Sequence, residues 1–281
     1  RVIERDEHGK ATRYAGTVTD VTEQKQAEIN ARRAASAKNV FLANMSHEVR
    51  TPLHGILGLV SVLENTALDT HQHQLLMTVK ESGDHLLQML NDLLDLTRSE
   101  EGQLKLNKDV LELARILQHI ESMYRAPIEE KGVKFIIHHS QVLPERIFSD
   151  RARLIQILTN LLNNAVKFTE QGTIMLSIDW SVDPATTTQT QAQGELLIKV
   201  RDTGAGIRDT QRIWQLFEQE HQGLSKKQSG SGLGLAIVRN LVQLLDGEIE
   251  VDSEPNRGTC FSLRLPMYAV YSDDVNHEAL D

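Results

Sequence analysis

Apolar side chains recur every seven residues along two stretches of the first hundred residues. In the first stretch they are Leu42, Met45, Val49, Ile56, Leu59 and Leu63. In the second they are Leu76, Val79, Leu86, Leu90 and Leu93, with Gly83 in the same register. The repeat predicts two amphipathic helices, which the polar residues 65–73 join into a helical hairpin. A hairpin buries such a seam best against a second copy, so we expect a dimeric four-helix bundle.

Residues 102–268 change to a mixed pattern that predicts an α+β domain. We predict strands at residues 134–138, 173–180, 195–201, 248–251 and 259–265. We predict helices at residues 113–131, 151–166 and 233–245. The Thr- and Gln-rich residues 181–194 predict a polar hairpin loop, and residues 269–281 predict an acidic linker.

The beginning of the chain predicts a short β-hairpin, with strands at residues 2–5 and 12–19 around a turn at residues 6–9. The sequences Tyr-Ala-Gly at residues 14–16 and Asp-Val-Thr-Glu at residues 20–23 resemble the last strand and exit motif of PAS sensor domains. The resemblance implies that residues 1–22 end such a domain and that residues 23–38 form a signalling helix. An unrelated hairpin is the alternative.

Composition excludes several classes of protein. A net charge of −9 argues against nucleic-acid binding, because no basic surface is available to displace counterions from phosphates. Cys260 is the single cysteine, which rules out an intrachain disulfide and favours a reducing compartment. No apolar run reaches the roughly 18 residues of a membrane span, and the chain starts at Arg1 rather than Met. We therefore expect a cytoplasmic fragment of a longer protein. The resemblance to sensor proteins implies in addition that this parent protein is bacterial and is anchored in a membrane through segments absent from this chain.

One polar position of the first helix is a candidate nucleophile. In the seven-residue repeat His47 points away from the apolar seam into water, where a neutral imidazole can act. Glu48 can fix the tautomer of that ring and accept the proton that it loses. Thr51 lies one turn later on the same face and could orient a water for the reverse chemistry. Pro52 should bend the helix beside them.

Residues 41–55 read Phe-Leu-Ala-Asn-Met-Ser-His-Glu-Val-Arg-Thr-Pro-Leu-His-Gly and resemble the H-box of sensor histidine kinases, in the style of hybrid kinases with receiver domains downstream. His54 departs from the pattern, since the family often has Asn there; we expect an effect on specificity or dynamics rather than on phosphotransfer. A zinc-protease helix would need a second histidine where Thr51 stands, which excludes that class.

A second polar group lies on the helix predicted after residue 150. Asn160, Asn164 and Lys167 are spaced by four and three residues, so they share one helix face. Residues 150–169 resemble the N-box of the Bergerat-type ATPase domain that follows the H-box in this family. The resemblance implies that Asn164 binds Mg²⁺, a metal that amide oxygens suit, and that Asn160 and Lys167 contact the phosphates or the water shell of the metal. A solvated helix face is the alternative.

A strand end and a glycine-rich turn resemble the adenine-binding part of the same domain. Asp202 directly follows the strand predicted at residues 195–201, and a buried carboxylate there can accept a hydrogen bond from the 6-amino group of adenine. Gly204 and Gly206 follow and let the backbone approach a flat base.

The lid and the phosphate loop complete the resemblance. Residues 213–217 resemble the F-box, with Phe217 at the start of a lid over residues 218–229. Residues 230–237 place Gly230, Gly232, Leu233 and Gly234 before a helix, whose N-terminal amides suit phosphate. Because the loop lacks a Gly-Lys-Ser/Thr ending and no strand precedes it, it is neither a Walker nor a Rossmann loop.

Together these motifs cover residues 36–266. The resemblance implies a phosphotransfer hairpin at residues 39–101 and a Bergerat-type α+β sandwich at residues 102–268. It also implies a homodimeric protein histidine kinase that uses ATP and Mg²⁺ to phosphorylate His47. The phosphoryl group would pass to an aspartate of a response-regulator receiver domain, separate or fused downstream, and phosphatase activity would accompany it. Two alternatives stay open: an ATP-driven clamp like gyrase or mismatch-repair proteins, and a nonhydrolysing interaction module.

Overall fold

A computed structural model describes residues 2–9, 11–14, 20–100, 104–182, 187, 191–215 and 232–271. Residues 1–54 form one compact unit and residues 55–281 a second. None of the described helices combines the length and the hydropathy needed to cross a bilayer.

The N-terminal unit contains the antiparallel strands β1 (Val2–Arg5) and β2 (Ala11–Tyr14) and most of helix α1 (Thr22–Glu64). Helix α1 begins where the Asp20 carboxylate accepts the Thr22 amide proton at 2.9 Å. The helix then continues without a break through the predicted signalling segment and through Pro52. Residues 15–19 of the predicted second strand lie outside the described residues.

The predicted helical hairpin is confirmed by α1 and α2 (Thr70–Glu100). A reciprocal capping box starts α2: the Gln72 amide donates to Asp69 at 2.8 Å, and the Asp69 amide donates to Gln72 at 3.0 Å. Across the hairpin, Lys80 and Glu64 form a half-exposed ion pair at 2.8 Å.

The predicted seam is largely exposed in the single chain. Its exposed members in the second unit include Ile56, Leu59, Leu63, Val79 and Leu86. Gly83, which keeps the register of this seam, is buried and lies against Leu57, whose Cδ2 would stand 2.7 Å from an added Cβ. Glycine at position 83 allows α2 to approach α1 closely. A larger residue there would displace the side chain of Leu57.

The C-terminal part of the chain is built on a mixed seven-stranded sheet. Its strands are β3 (Asp109–Glu112), β4 (Val133–His139), β5 (Arg146–Ser149), β6 (Gly172–Val182), β7 (Gln191–Asp202), β8 (Glu248–Glu254) and β9 (Gly258–Val270). The strand order is β3-β5-β9-β7-β6-β4, with β8 also paired to β9. Among the described strands, β4 and β6 pair in parallel and the other pairs of this sheet are antiparallel.

Three helices cover one face of this sheet: α3 (Leu113–Glu130), α4 (Arg151–Phe168) and α5 (Gly234–Leu244). Along β7 every second residue is buried and the residues between are more exposed, as expected for a sheet with one covered face. The buried row packs with apolar stripes of the helices, among them Ile120 of α3, Leu161 of α4 and Val238 of α5. This two-layer core confirms the predicted α+β architecture.

Three sequence expectations need correction. Strands β3 and β5, each of four residues, were not predicted. The predicted loop at residues 181–194 is shorter, because β6 continues to Val182 and β7 begins at Gln191. The predicted linker starts too early, because β9 continues through Val270 by pairing with β7 and β5. In all three places the extent of the strand is set by pairing with neighbouring strands of the sheet, which a local sequence pattern does not show. Residues 272–281 lie outside the described residues.

Candidate active site

The candidate nucleophile is exposed on α1. His47, Glu48 and Thr51 all have exposed side chains, while the neighbouring Ser46 is buried at 2% exposure. The Thr51 hydroxyl donates to the carbonyl oxygen of His47 at 3.1 Å, the usual local bond of a helical threonine. This bond uses the single hydroxyl proton, so Oγ1 of Thr51 can only accept a further hydrogen bond on this surface.

Helix α4 carries the predicted polar face. Asp150 caps its start by accepting the Arg153 amide proton at 3.1 Å. Further along the helix, Asn160, Asn164 and Lys167 are half-buried. The Lys167 ammonium lies 4.9 Å from the centre of the neighbouring Phe168 ring, and partial burial lowers its pKa. The opposite face of α4 carries leucine and isoleucine into the core.

Asn163, next to the predicted ligand, has a different task. The buried Tyr124 hydroxyl of α3 donates to the side-chain oxygen of Asn163 at 2.7 Å and approaches the Thr159 carbonyl at 3.2 Å. Burial raises the pKa of Tyr124 to about 12, so it stays a neutral donor. The hydrogen bond between Tyr124 and Asn163 joins α3 to α4. It does not involve the side-chain amides of Asn160 and Asn164.

Asp202 is buried because it continues an apolar row. Ala192, Leu196, Ile198 and Val200 face the core along β7, and Asp202 is the next residue of that row, with 7% exposure. Burial raises the pKa of its carboxyl group, since the charged form is poorly solvated there.

Two backbone amides orient this carboxylate. The amides of Gly204 and Thr259 donate to Oδ1 of Asp202 at 2.8 and 3.3 Å. Both of these bonds end on Oδ1, and among the described residues none is seen to donate to Oδ2. Thr259 was missed in the sequence, because a backbone donor leaves no trace in side-chain identity.

The turn after Asp202 is joined by backbone hydrogen bonds to the β8–β9 hairpin and to the end of α4. The amide of Asn256 donates to the carbonyl of Ala205 at 2.7 Å, and the amide of Ala205 donates to the carbonyl of Phe168 at 3.2 Å. Gly206 has a φ of +69°, and a Cβ there would overlap the carbonyl oxygen of Glu254. Glycine is therefore required for this turn to stand so close to the hairpin.

The start of α5 meets the polar face of α4. The position of a Cβ on Gly234 would be 3.0 Å from Oδ1 of Asn160, so these residues are brought together although they are far apart in sequence. Gly232 has a φ of +69° before the helix. Leu233 is buried in the hydrophobic core, so only its backbone could contact a ligand. The predicted site residues Phe217 and Gly230 lie outside the described residues.

The aromatic residue upstream of the predicted lid is anchored. Trp214, in a short 3-10 helix (Arg212–Trp214), packs edge-on against Phe261 with ring centres 6.2 Å apart. The Arg239 guanidinium of α5 lies 5.8 Å from the Trp214 ring centre. The chain that leads toward Phe217 is thus held against β9 and α5.

The polar groups of α4 suit magnesium as partial ligands. Within the described ranges, no group of three His, Cys, Asp or Glu side chains is placed to hold a metal ion. Asn160 and Asn164 offer amide oxygens, and Mg²⁺ ordinarily completes its coordination with phosphate oxygens and water. The donor set therefore fits an ion that arrives with a nucleotide.

Two family models match the chain. The His Kinase A (phospho-acceptor) domain matches residues 37–102. The histidine kinase-, DNA gyrase B-, and HSP90-like ATPase matches residues 149–269. The first match contains His47, and the second contains the polar face of α4 and Asp202.

Known proteins with both regions are similar to this chain. The autoinducer 2 sensor kinase/phosphatase LuxQ of Vibrio cholerae is 38% identical over 268 residues, which are 94% of this chain and 30% of LuxQ. The signal transduction histidine-protein kinase BarA of Escherichia coli is 38% identical over 237 residues, which are 84% of this chain and 25% of BarA. The chain thus spans less than a third of the length of these relatives.

Solved structures agree in fold. Full-length ShkA in complex with AMPPNP has a TM-score of 0.65 and 34% identity, over 82% of this chain and 46% of ShkA. The histidine kinase AdeS of Acinetobacter baumannii has a TM-score of 0.52 at 21% identity, over 79% of this chain and 98% of AdeS, and shows the fold alone. The chain therefore belongs to the histidine kinase family and contains a phospho-acceptor domain followed by an ATPase domain of the histidine kinase type.

Proposed function

We propose that this chain uses ATP to phosphorylate its own His47 and then transfers the phosphoryl group to an aspartate of a response-regulator receiver domain. The observation that carries the proposal is the combination, in one chain, of an exposed histidine followed by Glu48 and a buried, doubly oriented carboxylate at Asp202. The exposed imidazole supplies a nucleophile, and the buried carboxylate supplies recognition of adenine.

At the nucleotide site, Oδ2 of Asp202 would accept a hydrogen bond from the 6-amino group of adenine. Gly204 and Gly206 would lie against the base, while Asn160, Asn164 and Lys167 would face the phosphates. Mg²⁺, bound through Asn164 and the nucleotide, would neutralise part of the phosphate charge. The amides at the start of α5, after Gly232 and Leu233, would face the same phosphates. Phe217 and Gly230 remain predicted members of the site.

At His47, a ring nitrogen would attack the γ-phosphorus of ATP. The new nitrogen–phosphorus bond forms as the bond from phosphorus to the oxygen of ADP breaks, and Glu48 accepts the proton that the imidazole loses. Oγ1 of Thr51, which donates its own proton to the His47 carbonyl, would accept a hydrogen bond from a water during hydrolysis of the phosphorylated receiver. Thr51→Ala should therefore retain autophosphorylation and weaken phosphatase activity.

A homodimer would cover the exposed seam of α1 and α2. Leu59 is 67% exposed and Ile56 50% exposed, which is unusual for apolar residues repeated along a helix unless another helix covers them. The receiver domain would be separate or fused downstream, and any attachment to a membrane would come from other segments of the parent protein.

The decisive experiment is labelling of purified protein with γ-labelled ATP and Mg²⁺. We expect an acid-labile, base-stable label on the wild-type chain, none on His47→Gln, and a retained label on His54→Gln. His54 is the matched control because it is exposed on the same helix, seven residues later. ATP hydrolysis without protein labelling would refute the proposal in favour of a clamp, and failure to bind ATP would favour an interaction module.

The same assay resolves how the subunits cooperate. A mixture of His47→Gln and Asn164→Ala chains should recover labelling only if one protomer phosphorylates the other. Each variant alone should stay unlabelled, because the first lacks the nucleophile and the second lacks the proposed metal ligand.

A further inference from the structure

A single hydroxyl joins the turn after Asp202 to the β8–β9 hairpin. Oγ of Ser253 accepts the amide proton of Ile207 at 2.8 Å. The same oxygen donates to the carbonyl of Gly258 at 3.0 Å and lies 2.9 Å from Oγ1 of Thr259. Ser253 is half-buried and pairs directly with Thr259 in the β8–β9 ladder.

The hydrogen-bonding capacity of this hydroxyl is fully used. A serine hydroxyl has one proton and two lone pairs. The Gly258 carbonyl can only accept, so it takes the Ser253 proton, and the two lone pairs then accept from the Ile207 amide and from the Thr259 hydroxyl. No side chain without a hydroxyl can make these three bonds from that position.

The three partners of Ser253 belong to the two segments that orient Asp202. One donor to Oδ1, the Gly204 amide, lies on the same turn as Ile207. The other donor, the Thr259 amide, lies at the start of β9. Among the described residues Ser253 makes no hydrogen bond to Asp202, but it joins the two segments that hold that carboxylate.

We infer that Ser253 is a positioning residue for recognition of the 6-aminopurine base, acting through the orientation of Asp202. The inference rests on the proposed function, in which Oδ2 of Asp202 accepts the 6-amino group. With Ser253 in place, Oδ1 takes both amides and Oδ2 is aimed at the base. Without the hydroxyl, the turn and the hairpin can separate, and the carboxylate loses its fixed direction.

A role in specificity differs measurably from a merely structural role. Loss of general stability at the hairpin would weaken every nucleotide equally. Loss of carboxylate orientation would weaken ATP but not purine riboside triphosphate, which lacks the 6-amino group. The measured quantity is therefore the ratio of the two dissociation constants.

The test uses the full chain carrying His47→Gln, which under the proposed function cannot consume ATP, and calorimetric titration with Mg²⁺ and each nucleotide. We expect Ser253→Ala to raise the dissociation constant for ATP about tenfold and that for purine riboside triphosphate less than about twofold, as for loss of one hydrogen bond to a charged group. Ser253→Thr should restore the wild-type ratio because it keeps the hydroxyl.

Ser262→Ala is the matched control. Ser262 is half-buried on the same hairpin, and within the described part of the chain its hydroxyl is seen only 3.9 Å from Sγ of Cys260. This variant should keep both dissociation constants. If Ser253→Ala shows no cooperative unfolding transition and is therefore not folded, Ser253→Cys replaces it, because cysteine has a similar volume but accepts hydrogen bonds weakly. We expect Ser253→Cys to weaken binding of ATP selectively in the same way.

Equal weakening of both nucleotides by the Ser253 variants, or no weakening of ATP, would overturn the inference while leaving the proposed nucleotide site intact. Failure of the parent protein to bind ATP would instead overturn the proposed site, and the inference with it.

Discussion

Replacing Asp202 by asparagine changes the outer atom of the side chain from an acceptor to a donor and removes its charge. Oδ1 is unchanged by the substitution, so it can still accept hydrogen bonds from the backbone amides of Gly204 and Thr259. In the unsubstituted chain these amide nitrogens lie 2.8 and 3.3 Å from Oδ1. The variant therefore isolates the one contact that we assign to adenine, since the internal hydrogen bonds of the carboxylate are kept.

The size of the effect follows from that single contact. A hydrogen bond to a charged group contributes about 1.5–3 kcal/mol, so its loss should raise the dissociation constant for ATP about 10- to 150-fold. The new amide group at position 202 donates, and it faces the donating 6-amino group of adenine. Inosine triphosphate carries an accepting oxygen at that position, so we expect Asp202→Asn to bind it more tightly than ATP.

Competition between the two nucleotides for the His47→Gln chain and for the same chain with Asp202→Asn measures this preference directly. The expected result is an exchange of preference between ATP and inosine triphosphate. A variant that keeps the wild-type preference for ATP would refute the assignment of Asp202 to the 6-amino group.

The same substitution has a consequence for stability. Burial raises the pKa of Asp202 above the value of about 3.9 in an unfolded chain, so ionising this group costs more free energy in the folded protein than in the unfolded chain. Its stabilising contribution is fully present below the unfolded pKa and is lost as the pH rises through the folded pKa. Without nucleotide, Asp202→Asn should therefore match or exceed the wild-type free energy of unfolding at pH 7. A clearly less stable variant in urea unfolding at that pH would contradict this sign.

Three further outcomes are expected. Leu59→Asp should make the chain monomeric in sedimentation analysis, whereas Ser61→Asp, on an exposed polar position of α1, should leave it dimeric. If both variants remain dimeric, the proposed dimer interface is wrong. Tyr124→Phe should lower the free energy of unfolding by about 1 kcal/mol in urea through loss of its bond to Asn163, and an unchanged value would show that water replaces it fully. Gly206→Ala should destabilise the fold by about 1–2 kcal/mol and abolish measurable ATP binding, because of its left-handed backbone and the close hairpin; retained binding would contradict this.

The periodic parts of the fold could be predicted from sequence. Helix α3 was predicted at residues 113–131 and observed at Leu113–Glu130, because its buried positions follow a helical repeat. Strands β3 and β5 could not be predicted in this way. They have four residues each, and they exist because they pair with each other in register, Leu111 beside Ile147. Pairing between segments far apart in sequence leaves no local pattern.

In the candidate site, too, features set by local spacing could be predicted and contacts between distant segments could not. The spacing of Asn160, Asn164 and Lys167 placed them on one helix face because the helical repeat fixes that geometry. The partner of Asn163 could not be inferred, since Tyr124 stands 39 residues earlier on another helix. The donors to Asp202 were equally hidden, because they are backbone amides whose position depends on the sheet.

The register of the sheet explains why the proposed adenine-binding end of the site is so fully determined. Asp202 ends the core-facing row of β7, Thr259 begins the row that continues through Phe261 on β9, and Ser253 ends the half-buried row of Ile249 and Val251 on β8. Each is thus a polar end of an apolar row. A slip of β7 by one residue would turn Asp202 to the other face and also expose its whole apolar row, which strongly disfavours the slip. The same burial that stabilises the sheet therefore fixes where the carboxylate points.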